Sequence, residues 1–387
     1  MNASQLLAYP RADGRWGFRN HILVLPLHQA LCNAAREIED SAPTSVAVSH
    51  DWFGEIDSDF ERIAKVFAGI ANNPNNFSTI FLTIGSEIER KIIERSRLLG
   101  ATPLYVLSLS DTGSMADLVA SATALASQLR EAAKKESRVS APISAIVLGL
   151  ECGGSDAYSG ITANPALGLA SDHLVELGAT SILGETMEIL GSEHLLAARA
   201  LDPAVGQQII DVVARYERSI NYEGIDIRGA QPSRGNIEGG LSTLEEKSLG
   251  AAKKAGSAPF TGVLEYADHA TGSGLYFMDT PGHDIEQLTG FAAAGVNIAV
   301  FTTGRGTPTG SAVIPTIKVA TNTEMASVLT DLIDLNAGTI ADGSQTLEEV
   351  GALIFDEIVK VANGQETKAE IGGHHEFNLS RLYGSML

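Results

Sequence analysis

FSTIFLTIGSEIERKIIERSRLLG, residues 77–100, is the stretch on which the fold class turns. Its first nine residues are apolar almost without alternation. A strand with one wet face alternates apolar and polar, whereas a near-continuous run is expected of a parallel strand covered on both faces. SEIERKIIERSRLLG, directly after it, reads as a helix. The same two signals recur in both directions along the chain. HILVLPL (21–27), TSVAVSH (44–50) and PLYVLSLS (103–110) read as strands, while ALCNAAREIED, DFERIAKVFAGIA and SMADLVASATALASQLREAAKK read as helices. This alternation predicts a layered α/β domain with a mainly parallel sheet over residues 1–137.

KKESRVSAP (134–142) reads as a linker. Beyond it, SAIVLGL (144–150) and VNIAVFTTG (296–304) read as buried strands of a second, Rossmann-like α/β domain over residues 138–387. Two capping boxes mark helix starts there: Ser242 to Glu245, with the helix stopping at Gly256, and Thr346 to Glu349, with the helix ending at Gly364. Ligands of such sheets lie at the carboxyl ends of the strands. That rule points to Ser49-His50-Asp51, Gly85-Ser86-Glu87 and the glycine-rich GLECGGSDAYSGITANPALG (149–168).

Composition narrows the partners. With 27 Lys and Arg against 47 Asp and Glu, the net charge is −20, which disfavours nucleic acid and anionic membranes. A small anionic substrate remains compatible, because a local Arg or Lys outweighs a distant field. Cys32 and Cys152 are the two cysteines. Two distant thiols, with no secretory pattern at the start and no long apolar run, predict a cytoplasmic protein without a disulfide framework. A homo-oligomer is the expectation for a protein of this kind.

Four polar, glycine-bearing clusters carry candidate chemistry. Residues 149–168 hold Glu151, Cys152, Ser155, Asp156, Ser159, Thr162 and Asn164; residues 235–250 hold Glu238, Glu245 and Lys247; residues 278–284 hold Asp279, His283 and Asp284; residues 302–322 hold Arg305 and Lys318. Glycines beside hydroxyls and backbone N–H groups at a strand-to-helix junction can grip an oxyanion. Arg305 between two glycines suits a carboxylate fork, and a thiol among carboxylates suits a divalent ion. Blander readings stand beside these: Cys152 as a small buried residue, His50 as a hydrogen-bonded structural residue, Glu245 as a cap partner, and Asp279 and Asp284 as helix caps. His374-His375 resembles a metal tract, but adjacent residues point different ways. No phosphate-binding loop, dinucleotide glycine fingerprint, HExxH or CxxC pattern occurs, which disfavours a nicotinamide-dependent oxidoreductase.

Taken in order, GLECGGSD (149–156), SGITANPALG (159–168), the GN, GG, TLE and KSLG elements of 235–250, TPGHD (280–284), TTGRGTP (302–308) and PTIKVATN (315–322) resemble the altronate and galactarate dehydratase family. YPRADGRWGFRNHILVLP (9–26), with its Arg19-Asn20 pair, is similar to the family's first segment. The resemblance implies an Fe²⁺- or Mn²⁺-assisted lyase that removes the C2 proton of a 2-hydroxy acid and expels the C3 substituent. Dehydration of a sugar acid to a 2-keto-3-deoxy acid is the leading expectation. Sulfite elimination from sulfolactate is the alternative, and a non-catalytic carboxylate-binding subunit the second alternative. By the same resemblance, Arg305 would hold the substrate carboxylate and Lys318 the enediolate or leaving group, with His50 and Glu185 as base candidates. His50, Glu87 and Cys152 would bind the metal. Arg19, Asn20, Gly153, Gly154, Ser155, Asp156, Thr162, Asn164, Thr303, Gly304, Gly306 and Thr307 would line the substrate site. Ala30, Gly54 and Ser86 stand where the family carries cysteine, which leaves Cys152 alone. Family dehydratases carry a small additional N-terminal domain, so a small partner subunit is expected to supply it.

Overall fold

The computed structural model describes residues 6–42, 45–54, 59–221 and 231–381. The first strands are β1 (Leu6–Pro10), β2 (Trp16–Gly17), β3 (His21–Pro26), β4 (Ser45–Ala47), β5 (Asn76–Thr83) and β6 (Leu104–Ser108). The last four form a wholly parallel sheet in the order β4-β3-β5-β6. Its strands read as continuous apolar runs because each face has its own core. Along β3, Ile22 and Val24 join one hydrophobic cluster, and Leu23 and Leu25 the other. TSVAVSH keeps only Ser45–Ala47 in the sheet, with Thr44 outside the described residues, and PLYVLSLS ends at Ser108 in a short helix, Leu109–Thr112.

The remaining strands are β7 (Val139–Ala141), β8 (Val147–Gly153), β9 (Thr180–Leu183), β10 (Phe260–Leu264), β11 (Gly274–Met278), β12 (Ile298–Thr303), β13 (Thr316–Ala320) and β14 (Leu335–Asn336). From β8 on they form a parallel seven-stranded sheet, ordered β10-β11-β9-β8-β12-β13-β14. The fold is α/β with two layered parallel sheets. Within the stretch expected as a linker, β7 pairs antiparallel with β1, more than 130 residues earlier in the chain. The cap expected at Ser242 lies one residue on: Thr243 caps the helix Leu244–Ala252 by accepting from Glu246 N–H, and Ser242 Oγ donates to the Glu246 carboxylate. The Thr346–Glu349 capping box is present as expected.

The two sheets share a core. Leu23, Leu25 and Phe81 of the smaller sheet cluster with Tyr276, Met278 and Phe301 of the larger, between the helices Phe60–Ala71 and Asp284–Ala293. Those helices cross closely at Gly69, where a Cβ would strike the carbonyl of Ala293. Beside the crossing lies a buried asparagine segment. Asn73 Nδ2 donates to the carbonyls of Ala292 (2.7 Å) and Val296 (3.0 Å), and Asn75 Nδ2 to those of Asn297 (3.0 Å) and Val313 (2.8 Å). Among the described residues, no helix is long and apolar enough to cross a membrane.

Candidate functional site

At the carboxyl end of β8 the chain places a carboxylate and a thiol side by side, Glu151 and Cys152, both fully or almost fully buried. The next strand over, β9, ends just before Glu185. This residue adopts a left-handed backbone, φ +64°, although it is not glycine, and it is 2% exposed. Such a conformation costs roughly 1–3 kcal/mol and persists only where the surroundings impose it. They do so here: Glu185 N–H donates to Thr280 Oγ1 at 2.6 Å, and Thr186 N–H donates to the Thr280 carbonyl. The turn aims the Glu185 side chain at Cys152 and brings in Glu188 one turn later.

Lys254 closes the cluster. Its ammonium donates to Cys152 Sγ and Glu185 Oε2, each at 2.8 Å, and to Glu188 Oε2 at 3.3 Å, with 1% of the residue exposed. The thiol in turn donates to Glu188 Oε2 at 2.9 Å. Lysine reaches this depth because two backbones touch: a Cβ on Gly168, in the helix Ala163–Glu176, would lie 2.8 Å from Gly256 N, at the end of the turn carrying Lys254. On the opposite side Asp284, at the start of its helix, lies against bare backbone at Gly153, where a Cβ would fall 2.5 Å from Asp284 Oδ2.

The electrostatics follow from burial and pairing. Burial, then the neighbouring Glu185 and Asp284, push the Glu151 carboxyl well up. Burial and Glu188 likewise raise Glu185, against the pull of Lys254, and burial raises Asp284. Burial also opposes ionisation of Glu188, but Lys254 and Lys247 outweigh it and hold the carboxyl at about 2. Lys254 stays cationic, since Cys152, Glu185 and Glu188 override the burial that would discharge it. Burial and Glu188 keep Cys152 a neutral thiol. Four carboxyl groups thus stand against two ammonium groups, a formal deficit of two positive charges when all are ionised.

Among the described residues, His, Cys, Asp and Glu ligand atoms converge within 4.8 Å in two overlapping groups: Cys152, Glu185 and Glu188, and Glu151, Glu185 and Asp284. Neither Glu151 oxygen has a hydrogen-bond partner among the described residues, and Gln287 Oε1, on the helix that begins at Asp284, has none either. Buried acceptors without donors and hard oxygen ligands suit a divalent cation. A cleft of about 220 Å³ adjoins the cluster and shares Ser155 and Lys247 with it. Ser155 Oγ is 3.8 Å from Cys152 Sγ, and Lys247 Nζ is 3.4 Å from Glu188 Oε1.

Comparison with known proteins matches the sequence to a family. The sequence model "D-galactarate/Altronate dehydratase, C-terminal" matches residues 143–385, and "D-galactarate dehydratase/Altronate hydrolase, second domain" matches residues 8–134. The chain is 34% identical to (2R)-sulfolactate sulfo-lyase subunit beta of Chromohalobacter salexigens, over 98% of both chains. It is 35% identical to altronate dehydratase of Bacillus subtilis, over 92% of this chain and 73% of that one. It is 39% identical to galactarate dehydratase (L-threo-forming) of Escherichia coli, over 78% of this chain and 59% of that one. The chain belongs to the galactarate/altronate dehydratase family, a family of lyases.

Within this dehydratase-family fold the expected site residues fall into three sets. Cys152, Glu185 and Ser155 come together in the cluster. A second set frames it. Asp156 Oδ1 accepts from the Tyr158 and Ser159 backbone N–H groups and from Ser159 Oγ, and Oδ2 accepts from Thr321 Oγ1 and Asn322 Nδ2. Thr162 Oγ1 donates to the carbonyls of Tyr158 and Thr321, and Asn164 bridges Gly250 O and Thr302 Oγ1. Gly304 is bare because a Cβ there would strike Asp156. Thr303 Oγ1 caps Gly306 N–H, Gly154 O accepts from Arg305 N–H, and Thr307 donates to Thr309. Arg305 is about half exposed, 3.8 Å from Glu238. Lys318 is buried and donates to Pro308 O at 3.0 Å, with burial lowering it to about 8.

The third set lies apart. His50 uses both ring nitrogens: Nε2 contacts Pro26 O at 2.8 Å and Nδ1 accepts from Trp52 N–H, so neither is free for a metal. Glu87 is exposed beside Lys91, while Ser86 and Glu89 form the capping box of the helix Glu87–Leu99. Neither His50 nor Glu87 joins a ligand group. Arg19 forks onto Glu370 at 2.6 and 2.8 Å and also donates to Phe18 O, Val361 O and Gln365 O, so its guanidinium fastens the chain's ends rather than facing the cleft. Asn20 bonds Arg11 and Ala133 O. His374 and His375 pair with Glu376 and Glu39. Sequence reasoning missed Glu188 and Lys254, which sit in helical stretches where charge ordinarily marks a solvated face. The signal that bears on Lys254 is the pair Gly168 and Gly256.

Proposed function

We propose that the chain is a metal-assisted lyase that removes the C2 proton of a small 2-hydroxy acid and eliminates its C3 substituent, with dehydration of a sugar acid as the leading case. The observation that carries this is Glu185, a buried carboxylate in a left-handed backbone, bonded to Lys254 at 2.8 Å at the carboxyl end of a parallel sheet. A carboxylate that burial makes a weak acid is a strong base once ionised, and the ammonium beside it keeps that form in reach. Glu185 Oε2 would take the C2 proton. Lys247, a cation on the cleft wall, would protonate the departing hydroxyl. Arg305, half exposed on the loop that bonds Gly154, would hold the substrate carboxylate. A bound divalent ion would supply charge stabilisation to the enediolate. The glycine-bearing frame around Asp156 and Thr162 would keep the cleft wall fixed. A small partner subunit and a homo-oligomer belong to the same proposal.

A second reading, sulfite elimination from sulfolactate, is favoured by the match to the sulfo-lyase subunit over 98% of both chains. Both readings share the base and the cleft and differ in the leaving group. The test is an anaerobic product assay with Fe²⁺ or Mn²⁺ on altronate, galactarate and sulfolactate, with and without a small partner chain. A 2-keto-3-deoxy acid without sulfite supports dehydration, and sulfite with pyruvate supports the second reading. Wild-type turnover retained in Glu185→Gln would remove Glu185 from the base role.

A further inference from the structure

Glu151 is fully buried, and neither of its oxygens has a hydrogen-bond partner among the described residues. Buried acceptors are almost always matched by a donor, a water or an ion. The surroundings discriminate between these. The ligand atoms of Glu151, Glu185 and Asp284 converge within 4.8 Å, and three carboxylates offer acceptors to one another but no donor unless protonated. The Asp284 carboxylate lies where a side chain on residue 153 would sit, so bare glycine backbone is what admits it. Gln287 brackets the same place: its Nε2 donates to Leu150 O at 3.3 Å, its amide lies 2.7 Å from where a Cβ on Gly184 would be, and its Oε1 is unpartnered.

The overlapping thiol group is already filled. Lys254 puts its ammonium on Cys152 Sγ, Glu185 Oε2 and Glu188 Oε2, and none of its bonds goes to Glu151. A cation on the sulfur side would have to displace that ammonium. On the Glu151 side no bond of that ammonium has to be broken. Glu185 belongs to both groups, with Oε2 on Lys254.

We infer that a hard divalent cation of the Mg²⁺, Mn²⁺ or Fe²⁺ class binds to carboxylate oxygens of Glu151, Asp284 and Glu185, and that Cys152 is not a ligand. Three protein oxygens leave about three positions of an octahedral ion for water or a chelating 2-hydroxy carboxylate. An all-oxygen set also disfavours zinc, which prefers nitrogen and sulfur. The inference shares its site with the proposed lyase chemistry, but the binding it predicts is independent of turnover.

The test uses the full chain, stripped with chelator and titrated with Mn²⁺ alone, reading bound ion by electron paramagnetic resonance and metal content. Wild type and Cys152→Ala are expected to bind one equivalent with affinities within about threefold. Glu151→Gln and Asp284→Asn are expected to weaken binding on the order of 100-fold, from the loss of one charged ligand. Titration with Co²⁺ gives a readout that does not depend on any variant folding. Wild type is expected to bind the ion without a near-ultraviolet sulfur-to-cobalt band. Absence of binding in wild type, loss of the ion in folded Cys152→Ala, retention in Glu151→Gln, or a sulfur-to-cobalt band would each overturn the inference. A bound ion with no turnover on any substrate would instead sink the lyase assignment and leave the site standing.

Discussion

Replacing Lys254 by methionine keeps the length of the side chain and removes its charge, so it isolates the electrostatic term of the site. The ammonium reaches Glu188 Oε2 at 3.3 Å, and with Lys247 it holds that carboxyl at about 2 against an ordinary 4.5, despite burial working the other way. That difference corresponds to about 3 kcal/mol. Solvent screening takes little from it, since the Glu188 side chain is 6% exposed. Removing one partner of a buried pair costs about 3–5 kcal/mol by independent precedent. Lys247 stays on Glu188 at 3.4 Å and retains part of the interaction, so a loss of about 3 kcal/mol is expected near neutral pH. Glu188 holds its proton more weakly folded than unfolded. Its contribution is therefore present above 4.5 and disappears as pH falls toward 2. Urea unfolding followed by circular dichroism, near neutral pH and again about one unit above the Glu188 value, reads both effects. The gap between wild type and Lys254→Met should be about 3 kcal/mol in the first condition and shrink substantially in the second. A neutral-pH gap below about 1 kcal/mol, or one that acid leaves unchanged, would refute the account.

Three further outcomes follow from the same geometry. Gly153→Ala puts a Cβ 2.5 Å from Asp284 Oδ2 and 2.9 Å from Phe301 Cζ; it should cost about 1–3 kcal/mol and most of the activity, read by thermal unfolding and initial rates. Arg19→Met removes a guanidinium that makes four bonds across the chain's ends and strands Glu370, so a stability loss of about 3–5 kcal/mol is expected in urea titrations. Arg305→Ala should do the opposite: unfolding midpoint unchanged, because the side chain is half exposed, and kcat/KM lowered roughly 10- to 100-fold, the worth of one charged hydrogen-bonding contact. If Arg305→Ala also lowered the midpoint strongly, its role would be structural.

The layered fold was legible because two-sided burial writes itself into a strand as an uninterrupted apolar run. HILVLPL and FSTIFLTIG each land on observed parallel strands within a residue or two at their ends. The small antiparallel sheet was not legible: β1 and β7 are short, and nothing local in residues 134–142 announces a partner near residue 6. The site divided along the same line. Cys152 stood out as a thiol in a glycine-rich segment after a strand, and Glu185 came only with the family resemblance. Glu188 and Lys254 did not stand out, because a charge in a helical stretch carries no mark of which way it faces. For His50 the sequence left two readings open for a related reason: a strand-end histidine looks alike in sequence whether its nitrogens are free or, as here, both engaged.

The buried asparagines beside the Gly69 crossing bear on how the cleft can open. Asn73 and Asn75 place four amide hydrogen bonds across the junction of the two sheets, each onto a carbonyl that no water can reach in their stead. Hinging the smaller layer away from the larger would exchange those bonds for water at a net cost of about 0.5–1.5 kcal/mol apiece, and would open the shared apolar core with them. Rigid-body separation of the two layers is thereby made costly. The junction thus favours a frame that stays riveted, with any opening left to the loops over the carboxyl ends of the strands.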